Sequence, residues 1–127
     1  MLTATEDSLF SIARCEAVDD HTTEAHVAID ASHPIFKGHF PGKPIMPGVI
    51  MVRIVKAIAE RMIGSPLEMI SARSIKFLAP VDPGITTELI FKTSAIKNED
   101  GSVRINSEGS ASGTIVMKLI AEFKPLR

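Results

Sequence analysis

The sequence has one cysteine, Cys15, among 127 residues, so no disulfide can form within the chain. No group of cysteines suggests a metal site, and a lone cysteine near Phe10 and Ile12 favours a small buried side chain over a reactive thiol. Long apolar runs are also missing. The longest, Val49 to Val52, is far short of the ~20 residues that cross a bilayer.

Charge of one sign is equally scarce. The net charge is −1, the two signs are interspersed, and no run of five like charges occurs. A nucleic-acid surface needs a concentrated basic footprint, so this class of partner is excluded. The first ten residues contain Glu6 and Asp7 and no apolar core of signal-peptide length. We therefore expect a cytoplasmic protein that binds neither nucleic acid nor membrane.

The hydrophobic periodicity predicts one helix and six strands. The helix covers residues 48–63, with Pro47 at its start and Gly64 as its C-terminal cap. It is apolar on nearly all sides, which predicts a buried helix. The predicted strands cover residues 8–17, 23–30, 67–79, 85–97, 102–110 and 114–124. Consecutive hairpins with tight turns at 98–101 and 112–113 predict an antiparallel six-strand sheet with the helix against one face, in one α+β domain over residues 1–127.

Residues 31–48 break this pattern with four prolines and three glycines among apolar and aromatic side chains. Proline removes backbone donors and fixes φ, so the segment is predicted to be a structured loop. Within it the run GHFPGKPIMPGV, from Gly38 to Val49, leads straight into the helix. A second, weaker motif, KFLAPVDPG, lies between Lys76 and Gly84.

Both runs resemble the 3-hydroxyacyl-acyl-carrier-protein dehydratase family, the hydroxymyristoyl-type enzymes included. The resemblance extends over essentially the whole chain and implies the hotdog fold. It also implies removal of water from a 3-hydroxyacyl thioester, in fatty-acid or polyene synthesis. The substrate would be carried on the phosphopantetheine of an acyl carrier protein, with no cofactor of the enzyme's own. The family also joins two sheets, so we expect a homodimer or a higher homo-oligomer, which would protect the exposed sheet edges.

The reaction needs a base for the C2 proton and donors for the thioester oxygen. A base should have a pKa near working pH, which favours histidine, and a helix N-terminus offers free N–H groups. The resemblance assigns these roles to His39 and to the amide of Gly48. We expect Phe40, Met46, Pro47 and Val49 to contact the acyl group, although packing within the loop would also explain Phe40 and Met46. The other histidines are interpreted as structural or exposed.

One position departs from the family pattern. Active dehydratases carry a helix carboxylate five residues after the motif glycine, and here that residue is Arg53. A guanidinium cannot shuttle a proton. Glu60, two turns further along, is too distant to replace the carboxylate simply.

Three hypotheses follow. The protein is a dehydratase in which His39 moves the proton and Arg53 holds the leaving oxygen. It is instead a catalytically silent subunit that binds acyl chains or pairs with an active relative. In the third, it is an acyl thioesterase, although such hotdog enzymes commonly use a carboxylate that this helix also lacks.

Overall fold

The computed structural model describes residues 9–36 and 45–126 and contains a helix packed on a six-stranded sheet. In chain order the elements are β1 (Phe10–Ala17), β2 (Thr22–Ile29), a 3₁₀ turn (Pro34–Phe36), α1 (Gly48–Ile63), β3 (Leu67–Phe77), β4 (Glu88–Lys97), β5 (Val103–Ala111) and β6 (Thr114–Pro125). The predicted helix is confirmed at both ends. Every predicted strand is confirmed, with ends that differ by no more than three residues.

All neighbouring strands are antiparallel, in the order β1-β2-β4-β5-β6-β3. The α+β hotdog prediction is therefore confirmed. β3 does not pair with β4, which follows it in the chain, but with β6. The segment between β3 and β4 consequently crosses one end of the molecule, and β3 becomes an edge strand.

The core lies between the sheet and one side of α1. The helix buries a set of aliphatic side chains against the sheet: Ile50, Met51, Ile54, Val55, Ile58 and Ala59. Each large aliphatic side chain that is fully buried contributes about 1.5–3 kcal/mol relative to an exposed one. The predicted burial of the helix on nearly all sides is wrong in part, because Val49 is 60% exposed. A single sheet covers only one side of a helix.

The two short hairpin turns have the predicted backbone. Gly101 has φ 91°, and Ser112 and Gly113 have φ 51° and 84°. Positive φ at two successive residues suits a tight two-residue hairpin, and glycine adopts it without strain. The turns thereby fix the registers of the β4–β5 and β5–β6 pairs. They also fix the position of β6, the strand that pairs with β3.

The C-terminal end of α1 is closed within the chain. Gly64 has φ 86°, and its N–H donates to the carbonyl oxygen of Glu60 at 2.7 Å. The carboxylate of Glu60 accepts from the N–H of Leu67 at 2.8 Å and lies 3.6 Å from the ammonium of Lys56. Glu60 therefore links the end of α1 to the start of β3.

The β5–β6 hairpin carries a second polar link. Arg104 Nε donates to Glu122 Oε2 at 2.8 Å, and Asn98 Nδ2 donates to Glu122 Oε1 at 2.8 Å. Chiefly through the bond from Arg104, this arrangement holds the pKa of the Glu122 carboxyl below its ordinary value. The group stays ionised into mildly acidic solution.

Candidate active site

An apolar cavity of about 320 Å³ lies at the N-terminal end of α1. Ile45, Met46, Gly48 and Met51 line it from the start of the helix, and residues 77–80 line it from the end of β3 onward. None of these side chains carries a charge or a polar group. Among the described residues that line the cavity, only backbone groups can therefore offer it hydrogen bonds.

The two motifs seen in the sequence meet at this cavity. The N–H of Met46, in the first motif, donates to the carbonyl oxygen of Val81, in the second, at 2.8 Å. Met46 is 3% exposed and Val81 2% exposed, so the bond lies in the interior. The two motifs are far apart in the sequence, but this hydrogen bond joins them directly. It fixes the start of the helix close to the end of β3.

Gly48 presents its backbone to this space. Pro47 precedes it with no N–H to offer, and no acceptor within residues 9–36 and 45–126 pairs with the N–H of Gly48. The first N–H groups of a helix have no partner inside the helix, so they are available to a ligand. The predicted oxyanion role of Gly48 remains a prediction, and among the described residues nothing competes for its amide.

Sequence reasoning missed the residue that covers Gly48. A Cβ built on Gly48 would lie 2.6 Å from Cζ and 2.7 Å from Cε2 of Phe77, so the ring rests against the glycine backbone. Phe77 belongs to the second motif, which was noted without assigning this residue a role. Only the pairing of β3 with β6, which the sequence does not reveal, brings the ring to the helix start.

The other predicted site residues divide into three groups. His39 and Phe40 lie outside the described residues, so their roles stay predictions. Met46 and Gly48 line the cavity, and Pro47 is the partly buried N-cap of α1. Val49 and Arg53 lie on the exposed side of the helix and are not among the residues that line the cavity. Within the described ranges, the Arg53 guanidinium has no hydrogen-bond or ion-pair partner.

Glu60 and the histidines outside the motif are not among the residues that line the cavity. Glu60 is engaged by Leu67 and Lys56 at the far end of the helix, about 20 Å from Gly48 at 1.5 Å per residue. His21 is exposed in the β1–β2 turn, and His33 is partly buried. Glu60 is therefore held in a structural position and does not stand in for the missing carboxylate.

Glu16, Glu24 and His26 form a group of possible metal ligands on β1 and β2, with ligand atoms within 4.8 Å of one another. Arg14 already occupies this group, with Nη2 at 3.3 Å from His26 Nε2 and Nε at 3.5 Å from Glu16 Oε2. A cation is thus supplied by the chain itself, and we assign no metal there. Among the described residues, no helix is both long and apolar enough to cross a membrane.

A family model described as ApeI dehydratase, of the ApeI-like group, matches residues 15–114. The chain belongs to the ApeI-like dehydratase family. The resemblance carried by the two motifs is thereby confirmed, because curated relatives of this family member are dehydratases of the predicted kind. The 3-hydroxyacyl-[acyl-carrier-protein] dehydratase FabZ of Aeromonas salmonicida is 31% identical over 117 residues, which cover 80% of this chain and 75% of that protein.

The likeness to other relatives of this ApeI-like chain is less complete. FabZ of Syntrophobacter fumaroxidans is 27% identical over 96 residues, which cover 69% of this chain and 64% of that protein. The chain thus spans somewhat less than two thirds of that relative.

Solved structures agree on the fold. One described as the dehydratase heterocomplex ApeI:P from Xenorhabdus doucetiae superposes with a TM-score of 0.73 at 18% identity, covering 90% of this chain and 96% of that one. AziG of S. sahachiroi superposes with a TM-score of 0.62 at 18% identity, covering 90% of both chains. These likenesses establish the fold of the ApeI-like chain.

Proposed function

We propose that this ApeI-like chain removes water from a 3-hydroxyacyl-acyl-carrier-protein thioester and releases a trans-2-enoyl thioester. The observation that carries the proposal is the Gly48 amide, which has no acceptor among the described residues and lies at the edge of an apolar cavity, immediately after the motif that contains His39. A thioester oxygen accepts a hydrogen bond from such an amide as it gains charge. The apolar walls suit an acyl chain.

In the proposed reaction, His39 takes the proton from C2 while the Gly48 N–H donates to the thioester oxygen. The C3–O bond then breaks as the C2–C3 double bond forms. His39 returns its proton to the departing hydroxide, so that water leaves and the base is regenerated. Because Arg53 is exposed and does not line the cavity of its own chain, we propose that in a homodimer it faces the site of the partner subunit. There it holds the oxygen that leaves and transfers no proton, since a guanidinium is protonated at any physiological pH.

The proposal includes an acyl carrier protein that delivers the substrate on phosphopantetheine, with no further cofactor. The curated FabZ relatives carry the acyl carrier protein in their name. The pathway would be fatty-acid synthesis or the synthesis of a specialised polyene.

We also propose a homodimer. Edge strands that are long and uncovered invite pairing with another chain. β3 is an eleven-residue edge strand, with Ile70 52% exposed. A second copy placed beside it would pair with this edge and cover that side chain. Light scattering at micromolar concentration tests the proposal, and a monomer would contradict it.

Arg53 supports a second candidate, a catalytically silent subunit that binds acyl groups or pairs with an active relative. An exposed cation without a partner among the described residues is suited to a carboxylate on another chain. The solved ApeI:P structure is described as a heterocomplex, so assembly of unlike subunits occurs for a protein of this fold.

A single incubation separates the candidates. The pure chain is mixed with a 3-hydroxyacyl carrier-protein thioester, and the mixture is analysed for enoyl thioester and for free thiol. Enoyl product supports the dehydratase. Free thiol without enoyl product indicates a thioesterase, and the absence of both, with a correctly folded chain, favours the silent subunit.

A further inference from the structure

The side chain of Phe77 lies on the face of the sheet that carries the core, but it is not part of the buried core. In the β3–β6 register it pairs with Met117, which is fully buried, so both side chains lie on the helix face of the sheet. β3 ends at Phe77, and half of the side chain remains exposed. A phenylalanine that is fully covered buries 150–250 Å². Phe77 therefore makes only part of the burial that a phenylalanine can make.

The ring is placed against the helix start rather than in open solvent. The missing Cβ of Gly48 would lie 2.6 Å from its Cζ, closer than real Cβ contacts allow. Only a glycine leaves room for the ring, which therefore covers one side of the Gly48 backbone. It also forms a wall of the 320 Å³ cavity, beside Met46 and Met51.

Half of the Phe77 side chain is exposed, so space for a change of rotamer is present on that side. Rotamer changes of exposed side chains take place on the picosecond to nanosecond timescale, much faster than turnover. A ligand that reaches the Gly48 amide through the cavity passes this ring, because Phe77 is one of the residues that line it. The size of the side chain at this position consequently limits the volume that remains beside the amide.

We propose that Phe77 is a specificity-determining residue that selects acyl groups by their bulk near the thioester. This inference rests on the function proposed above and names the residue that restricts its substrates. In the free protein the ring covers the Gly48 backbone, and in the complex it packs on the acyl carbons beside the thioester. A smaller residue in place of Phe77 admits longer and bulkier acyl groups, whereas short acyl groups lose the ring as a packing surface.

Kinetics on a set of acyl chains test the selection. Phe77→Ala and Phe77→Leu are compared with wild type on four-carbon and twelve-carbon 3-hydroxyacyl carrier-protein thioesters. We expect the ratio of kcat/KM for the long over the short substrate to rise about tenfold in Phe77→Ala, with an intermediate rise in Phe77→Leu. Ile96→Ala is the matched control, since Ile96 is 43% exposed and does not line this cavity. An unchanged ratio in Phe77→Ala would overturn the proposal.

A second measurement does not depend on turnover. The chain has no tryptophan or tyrosine, so Phe77→Trp introduces the only strong fluorophore. The probe is a non-reactive alkyl-pantetheine thioether, and Ile96→Trp is the control. We expect the emission of Phe77→Trp, and not that of Ile96→Trp, to shift on titration.

The two measurements separate the failure of each proposal. A shift in Phe77→Trp without turnover by wild type keeps Phe77 at a ligand site and contradicts the dehydratase. Turnover by wild type with no shift, and with an unchanged chain-length ratio, retains the dehydratase and refutes the role of Phe77.

Discussion

The C-terminal end of α1 is closed by hydrogen bonds within the chain, whereas at its N-terminal end an amide without an acceptor among the described residues lies beside an apolar cavity. At the C-terminal end, Gly64 and Glu60 form the closing hydrogen bonds, and Lys56 neutralises the carboxylate. At the N-terminal end, Pro47 provides no side-chain cap and the Gly48 N–H has no acceptor among the described residues. One helix thus has an end specialised for stability and an end available for a ligand.

The difference predicts that substitutions at the two ends have different consequences. Changes near Gly48 should lower turnover and leave the fold in place when they respect its packing. Changes near Glu60 should lower stability and leave turnover unchanged. Each variant below is therefore measured for both properties.

The largest effect is expected for His39→Ala, which removes the proposed base. Loss of a general base typically lowers turnover by ~10²–10⁴-fold. The variant should keep the circular dichroism spectrum and melting temperature of wild type. His21→Ala, a change at an exposed turn, is the control and should retain full turnover. Wild-type turnover in His39→Ala would show that another group is the base.

A large loss is also expected for Gly48→Val. The new Cβ would meet the ring of Phe77, and the side chain would obstruct a carbonyl that approaches the amide. We expect turnover to fall about 10²-fold or more, the loss typical of a missing oxyanion donor, or the fold to be lost.

The double variant Gly48→Ala/Phe77→Ala separates these two causes. It keeps every backbone N–H and removes the clash with the ring, so recovery relative to Gly48→Ala indicates that the clash is the cause. Without recovery, the open backbone of glycine is itself required. Full activity in Gly48→Val would eliminate the oxyanion role.

Arg53→Ala should lower turnover about tenfold, which corresponds to 1.4 kcal/mol of barrier. The guanidinium would no longer hold the departing oxygen, while His39 and Gly48 stay in place. Arg53→Glu should restore the family pattern and keep or raise turnover. If Arg53→Ala equals wild type and Arg53→Glu creates activity that wild type lacks, the silent-subunit hypothesis is correct.

At the other end of the helix, Glu60→Ala should lower the free energy of unfolding by about 1–2 kcal/mol, because the N–H of Leu67 loses its acceptor. Urea denaturation provides the value. Lys56→Ala removes only the surface ion pair and should cost no more than ~0.5 kcal/mol. Turnover should be unchanged in both variants. A loss of turnover in Glu60→Ala would contradict the division between the two ends.

The smallest effect is expected at Glu122, which lies at neither end of the helix. It concerns how the free energy of unfolding depends on pH. The folded-state pKa of Glu122 is lowered, so its contribution to stability is present above the unfolded-state pKa and is lost as pH falls through the folded-state value. The free energy of unfolding should therefore decline less steeply on acidification in Glu122→Gln than in wild type. Glu108→Gln is the control, with a Lys118 pair at 3.6 Å. Identical pH profiles for Glu122→Gln and wild type would refute the link.

Periodicity and turn residues were sufficient to predict the helix and all six strands. They were sufficient because the β4–β5 and β5–β6 turns carry Gly101 and Gly113 where the backbone has positive φ, and because Pro47 and Gly64 mark the helix ends. The order of the strands was not predictable. Pairing of β3 with β6 depends on contacts between residues about fifty positions apart, and no local pattern records it.

The same limit applies to the candidate site. The motif identified Gly48 and the segment that contains Phe77, since both resemble a family pattern. It did not reveal that the two residues touch, because that contact depends on the strand order. The exposed side of α1 was also missed, since an apolar sequence does not tell whether a sheet or another chain covers each face.

The pairing of β3 with the last strand has a consequence for synthesis. During translation β3 emerges well before β6, so Phe77 has no strand partner until Met117 has been synthesised. Pairings between distant residues form slowly, because a long loop must close first. The cavity wall at Phe77 is therefore completed only after β6 has left the ribosome. A chain cut before Thr114 would keep both motifs and lack the strand that aligns them.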